Sequence, residues 1–223
     1  MIPLRDNQIR TAAPFVNWTL VALNVLIYVW DRQGTVFGSS VTFADLAMRP
    51  REVVSAVFER TDYFPIVTVF TSMFLHGDLL HLIGNLIFLV VFGSAVEEAL
   101  GSWRYALYYL FWGVMAAAAQ IYVDPASVVP TLGASGAIGG VLGAYFLLFP
   151  SNKIEMIVPW LPFWKPVVSA WVLLGLWFLW QILVPREGVA NWAHAGGFLA
   201  GMTTVLILGG RDAILKPDRE TAW

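Results

Sequence analysis

The chain holds only three histidines, His76, His81 and His194, and none of them lies in a polar loop or tail. His81 and Asn85 stand four apart in "HGDLLHLIGN", and Ser135 stands inside "TLGASGAIGGVLGAYF", residues 131–146. A serine hydroxyl is a weak nucleophile until a base removes its proton. Histidine suits that task, because its ordinary pKa of about 6.5 leaves the ring largely neutral at pH 7. Attack on a carbonyl then builds an oxyanion, which needs donors already in place. The Asn85 amide, the His81 ring N–H and the Ser135 backbone N–H are the candidates. No acidic residue lies near Ser135 or His194 on their own segments, so the expected pair is a Ser135–His194 dyad rather than a triad. Other chemistries compete for the same residues. Ser135 and Asn85 are the kind of polar residue that glues helices together. His76, His81 and His194 could ligate zinc, but no H-E-x-x-H occurs and five residues separate the first two. Haem held by His81 and His194 would leave Ser135 and Asn85 unexplained.

The elements that must position these groups are set by composition. Of the 223 residues, 58% are hydrophobic and 13% charged, with 11 Trp and 15 Phe. Soluble domains carry about 25% charged residues, so this is an integral membrane protein. A net charge of −2 argues against a nucleic-acid partner. The lack of cysteine excludes disulfides, thiolate metal sites and cysteine nucleophiles. Apolar stretches predict spans at 14–30, 79–98, 105–123, 133–149, 166–184 and 190–210. The first lacks a small-residue cleavage site and reads as a retained helix. With the N-terminus inside, eight Lys and Arg fall on inner segments and five on outer ones. The positive-inside rule favours that orientation.

Matching depth follows from the parity of the spans. The second, fourth and sixth run in the same direction, and their first turns hold His81 with Asn85, Ser135, and His194. At 1.5 Å per residue, all lie within roughly 10 Å of the outer helix ends. His194 shares a face with Gly197 and Gly201, while Ser135 continues into Gly139 and Gly143. Such small-xxx-small faces allow close helix approach and could bring the Ser135 hydroxyl to a His194 nitrogen. Gly136 with Gly140 forms a parallel track. Gly133 and Gly136 would let the backbone come close to a substrate. His76 would lie about 140° round an ideal helix from His81 and is expected to brace the external loop. That loop, 31–78, carries Val53, Val54, Val57 and Phe58 at helical spacing, which predicts a short interfacial helix. Trp160, Phe163 and Trp164 read as anchors at the inner interface.

Taken together, these motifs resemble the rhomboid intramembrane serine proteases. "HGDLLHLIGN" is similar to the family's H-x-x-x-x-H-x-x-x-N pattern, "GASG" to its nucleophile motif, and "AHAGGFLAG" to its A-H-x-x-G-x-x-x-G signature. "VEEALGSWRYALYYL" is similar to the family's passage from the second helix to the third. The resemblance implies an all-α polytopic membrane protein, a six-transmembrane-helix bundle over 14–210. Short cytoplasmic tails, 1–13 and 211–223, would flank it. It gives Ser135 and His194 the catalytic roles, and His81 and Asn85 the oxyanion. Many rhomboids carry a tyrosine four residues after the nucleophile, stacked on the histidine; here that place is Gly139, so an aromatic from another helix is expected instead.

The implied reaction is cleavage of a single-span membrane protein near the outer face, without metal or other cofactor. Helix-weakening, small residues near the cut would suit it. Rhomboids are thought to admit substrate helices past the fifth span, and residues 183–192, "LVPREGVANW", would be the mobile cover. The implied address is a plasma or inner membrane, with both termini cytoplasmic and the site open to the outside. The alternative is an inactive rhomboid-like protein that binds and escorts membrane helices. Such proteins typically lack the serine or the histidine, and this chain has both. A transporter fits less well, for lack of an inverted repeat or an array of intramembrane carboxylates.

Overall fold

The computed structural model describes residues 2–33, 36–38, 40–60, 62–161, 163–184 and 188–215. A strand β1, Ile2–Asp6, leads into helix α1, Phe15–Arg32. The following segment folds as α2, Pro50–Phe58, and α3, Phe64–Thr71, which ends in a tight turn at Ser72–Phe74. Then comes α4, Leu79–Phe88, one π-helical turn at Leu89–Gly93, and α5, Ser94–Leu100. The remainder is α6, Ser102–Val123; α7, Ser135–Leu148; strands β2, Lys153–Ile157, and β3, Val167–Ser169; α8, Ala170–Leu183; α9, Asn191–Ile207; and α10, Gly210–Leu215. Two helices among the described residues are long and apolar enough to cross a bilayer, Leu79–Leu100 and Ser102–Val123.

The core is built on α7. Its face bearing Gly139 and Gly143 lies against α9, where Gly197 and Gly201 answer it. A Cβ on Gly139 would sit 2.7 Å from the His194 carbonyl oxygen. One on Gly143 would overlap the Phe198 carbonyl, and those on Gly197 and Gly201 would overlap the carbonyls of Gly136 and Gly140. The two backbones therefore touch with no side chain between them, which maximises dispersion contact where lipid supplies no hydrophobic drive. The other track faces elsewhere: a Cβ on Gly136 would lie 2.7 Å from that of Ala116, and Gly140 abuts the Trp112 side chain, both on α6. Buried Trp112 also donates from Nε1 to Thr204 Oγ1 at 2.9 Å, joining α6 to α9.

At the N-terminus of α1 the backbone N–H groups of Val16 and Asn17 donate to the buried Glu97 carboxylate at 3.0 and 2.7 Å. A carboxylate at a helix N-terminus satisfies groups that have no partner within the helix. The Asn17 amide donates to the Leu89 carbonyl at 3.0 Å, inside the π turn where the regular ladder is interrupted.

At the far end of α1, buried Arg32 donates to the carbonyls of Ser40, His76 and Gly77. His76 itself precedes α4 and is not on a helical face, which removes the premise of the 140° separation. Its ring lies edge-on to His81 at 5.2 Å between centroids, and its Nδ1 donates to the Phe74 carbonyl at 3.2 Å. Burial, reinforced by the neighbouring His81 and Arg32, pushes its pKa down to about 3.

The structure differs from the expected elements at several points. The fold is mostly helical but not all-α: β1 pairs antiparallel with β2, and β2 with β3. The segment "KIEMI" alternates in period 2 and buries Ile154 and Met156, so a sheet satisfies its backbone where a plain loop would not. The tail 1–13 is therefore part of the fold, with Arg5 bonded to Glu155 at 2.8 Å and Asp6 accepting from Tyr145 at 2.7 Å. The span expected at 166–184 begins as strand, since Val167–Ser169 pair with β2, and becomes helix only at Ala170. The expected last span stops at Ile207, and the tail after Gly209 re-forms a short helix, while 216–223 lie outside the described residues. The helix expected in the external loop is α2, which buries Val53 and exposes Val57 and Phe58. Trp160, Phe163 and Trp164, expected as anchors at the inner interface, are all exposed.

Two outcomes follow from this packing. Gly201→Val should lower stability by more than the about 1–3 kcal/mol typical of an overpacked core, because backbone must move. Gly84→Ala, with nothing within 4 Å, should hold or gain up to about 1 kcal/mol; thermal unfolding in detergent compares them. For His76 the folded pKa lies below the unfolded value of 6.5, so the unfolded state binds more protons and stability falls as pH drops from 6.5 towards 3. His76→Gln should show a smaller loss of thermal midpoint between pH 7 and pH 4.5 than the wild type.

Candidate active site

Each polar group is delivered by the start of a helix. Asp78 caps α4, accepting from the His81 N–H at 2.8 Å, so the helix starts where its first two turns present His81 and Asn85. Ser135 is the first residue of α7. Just before it, Gly133 holds φ at +119°, a backbone region open to glycine, and its N–H donates to the Ser72 carbonyl at 2.9 Å. His194 lies in the first turn of α9, its N–H bonded to the Ala190 carbonyl at 3.2 Å.

The glycine contact between α7 and α9 brings Ser135 Oγ to 2.7 Å from His194 Nε2. Both face a cavity of about 450 Å³, together with His81, Asn85, Trp177 and Gln181. Its rim includes Gly188–Asn191 from the segment expected to act as a cover; residues 185–187 of that segment lie outside the described residues. The imidazole of His81 and the amide of Asn85 meet beside Gly133. A Cβ there would lie 2.7 Å from His81 Nε2 and 3.6 Å from Asn85 Nδ2. Asn85 Nδ2 is buried and has no hydrogen-bond partner among the described residues. Glycine at 133 thus keeps open a cradle flanked by two nitrogen donors, next to a hydroxyl paired with a base. Such an arrangement can carry acyl transfer.

Gly136, Gly139, Gly143, Gly197 and Gly201 all serve the helix packing described above, and His76 lies behind His81 in the loop held by Arg32. Two neighbours of His194 were missed in the sequence. Gln181 of α8 has its Oε1 2.8 Å from His194 Nδ1, and Asn191 Nδ2 donates to the same oxygen at 3.3 Å. Trp177, one turn earlier on α8, sets its ring 5.9 Å from the imidazole and 32° from parallel. It is the aromatic that Gly139 leaves wanting. A signal existed: Gln181 is the one amide in the apolar run "AWVLLGLWFLWQILV", and an isolated polar side chain in such a run is a functional candidate by default. Among the described residues no group of three His, Cys, Asp or Glu is placed to hold a metal ion.

Comparison with known proteins gives the family. Residues 64–211 match the Rhomboid domain. The chain is 31% identical over 201 residues, 90% of its length, to "Rhomboid protease GluP" of Bacillus subtilis, of which it covers 36%. It is 29% identical over 148 residues, 66% of its length, to "RHOMBOID-like protein 5" of Arabidopsis thaliana, covering 44% of that protein. With "Rhomboid-type serine protease 2" of Emericella nidulans the identity is 30% over 133 residues, 58% of this chain and 24% of the relative. The chain therefore spans less than half the length of each of these relatives. A match over most of the chain, running from the start of α3 past the end of α9, leaves one conclusion: the chain belongs to the rhomboid family of membrane-embedded proteins.

Proposed function

We propose that the chain is an intramembrane serine endopeptidase that cleaves single-span membrane proteins near the outer face, with Ser135 as nucleophile and His194 as base. The observation that carries this reading is the 2.7 Å contact of Ser135 Oγ with His194 Nε2, opening on the donor cradle of His81 and Asn85. In the reaction Ser135 Oγ bonds to the scissile carbonyl carbon as His194 Nε2 takes its proton. The carbonyl oxygen becomes an oxyanion, received by His81, Asn85 and the Ser135 N–H. Collapse breaks the C–N bond, and His194 passes its proton to the leaving amine. Water, deprotonated by the same histidine, then releases the acyl group and restores Ser135.

The six spans of this reading are α1, Leu79–Leu100, α6, α7, α8 and α9 within a membrane domain at 14–210, termini inside. With 14 residues, α7 is about 21 Å long, well short of the about 30 Å of a bilayer core. If its inner end lies at the inner surface, its first residue, Ser135, sits below the outer one, where the cavity can hold the hydrolytic water. A second cavity of about 30 Å³ adjoins Ser135 among Met73, Gly113, Ala116, Ala137 and Ala193. It would accept only a small side chain next to the cut, which also suits a substrate helix that must unwind. The proposed setting is a plasma or inner membrane.

The test is cleavage of single-span reporter helices by the full chain in proteoliposomes, with product ends read by mass spectrometry. Wild type should cut beside a small residue near the outer face, and Ser135→Ala and His194→Ala should not cut. Asn85→Ala should lower kcat by about 10²–10³ with little change in folding. Retained binding of the helices with no cleavage by folded wild type would replace this reading with that of an inactive helix-binding protein.

A further inference from the structure

The base needs more than proximity to serine: its Nε2 must carry the lone pair, so its Nδ1 must carry the proton. What faces Nδ1 therefore matters, and the facing group is an amide that can present either end. The surroundings of Gln181 decide which. Its Nε2 lies 3.4 Å from the Trp177 carbonyl oxygen, one turn back on α8. A carbonyl only accepts, so the NH₂ end belongs there and Oε1 is turned to His194. The other orientation would set oxygen against oxygen at Trp177 and NH₂ against the Asn191 amide nitrogen. With Oε1 in place, Asn191 Nδ2 donates to it from the start of α9, and the side chain is only 8% exposed, so water does not compete freely for it.

From this geometry we infer that Gln181 is the positioning residue of the base: its Oε1 accepts the Nδ1–H of His194, fixing the tautomer and the ring plane that aim Nε2 at Ser135. The inference rests on the endopeptidase reading. It extends the pair to a directional chain from the Trp177 carbonyl through Gln181 and His194 to Ser135. It also explains why the support comes from α8. A side chain at position 139 would start 2.7 Å from the His194 carbonyl oxygen, so that position cannot brace the ring. Helix α8 supplies both constraints from adjacent turns, the Gln181 acceptor for the ring edge and Trp177 beside the ring face. A displacement of α8 would withdraw both together, so the helix that walls the cavity also sets the competence of the base.

The test uses the full chain in detergent and two readouts. In ¹⁵N-histidine NMR of the wild type, with the three histidines assigned through His76→Gln and His81→Gln, His194 should be the Nδ1–H tautomer. The rate of labelling by a fluorophosphonate should fall about 10²-fold in Gln181→Leu, which keeps bulk but loses the acceptor. It should return to within about tenfold of wild type in Gln181→Glu, which restores an acceptor. An Nε2–H tautomer in the wild type would overturn the inference by itself, whether or not Gln181→Leu folds. So would labelling of Gln181→Leu within about twofold of wild type, or equal loss in both variants with the tautomer unchanged. Those outcomes leave the endopeptidase reading standing as long as Ser135→Ala abolishes labelling. Wild type labelled no faster than Ser135→Ala would remove that reading and this inference together.

Discussion

Direct backbone contact between α7 and α9 is the constraint on which the rest of the molecule depends. Four glycines, Gly139, Gly143, Gly197 and Gly201, leave the two helices no side chain between them, and a Cβ at any of these would meet a carbonyl oxygen. In lipid, where burial of apolar surface gives little drive, this is how helices gain attraction. The same closeness has a chemical result. Ser135 and His194 lie at the matching ends of these helices, and the separation of the two backbones sets their contact at 2.7 Å.

Such tight packing removes α7 side chains at the glycine positions from beside His194, and other elements contact its ring. Helix α8 sets Gln181 and Trp177 against the histidine. On the opposite wall, Asp78 fixes the start of α4, and Arg32 ties the carbonyls of His76 and Gly77 to the end of α1. The buried Arg32 charge is tolerated here because its two terminal nitrogens donate to carbonyls. The small sheet ends in β3, which runs directly into α8, so the start of that helix is tied through β2 to the N-terminal strand.

Much of this was legible in the sequence because it rests on period and spacing. His81 and Asn85 four apart, Ser135 with Gly139 and Gly143, and His194 with Gly197 and Gly201 each define one helical face. Parity of the apolar stretches placed all three faces at one depth. What escaped does not follow the helical period or depends on distant partners. The sheet joins β1 to β2, two strands of five residues some 150 positions apart, and no local pattern announces a partner so distant. The π turn at Leu89–Gly93 is an interruption of an otherwise regular apolar helix, set where Asn17 inserts. Gln181 belongs to no recognisable motif, and its partner, His194, stands 13 residues along the chain.

The central claim is that glycine packing makes Ser135 an activated nucleophile, and mapping a covalent adduct tests it most directly. Folded wild-type protein would be reacted with a fluorophosphonate, digested, and the modified residue located by mass spectrometry. The account predicts a single adduct, on Ser135, that is lost in His194→Ala. An adduct elsewhere, or one on Ser135 that persists at the same rate in His194→Ala, would contradict it.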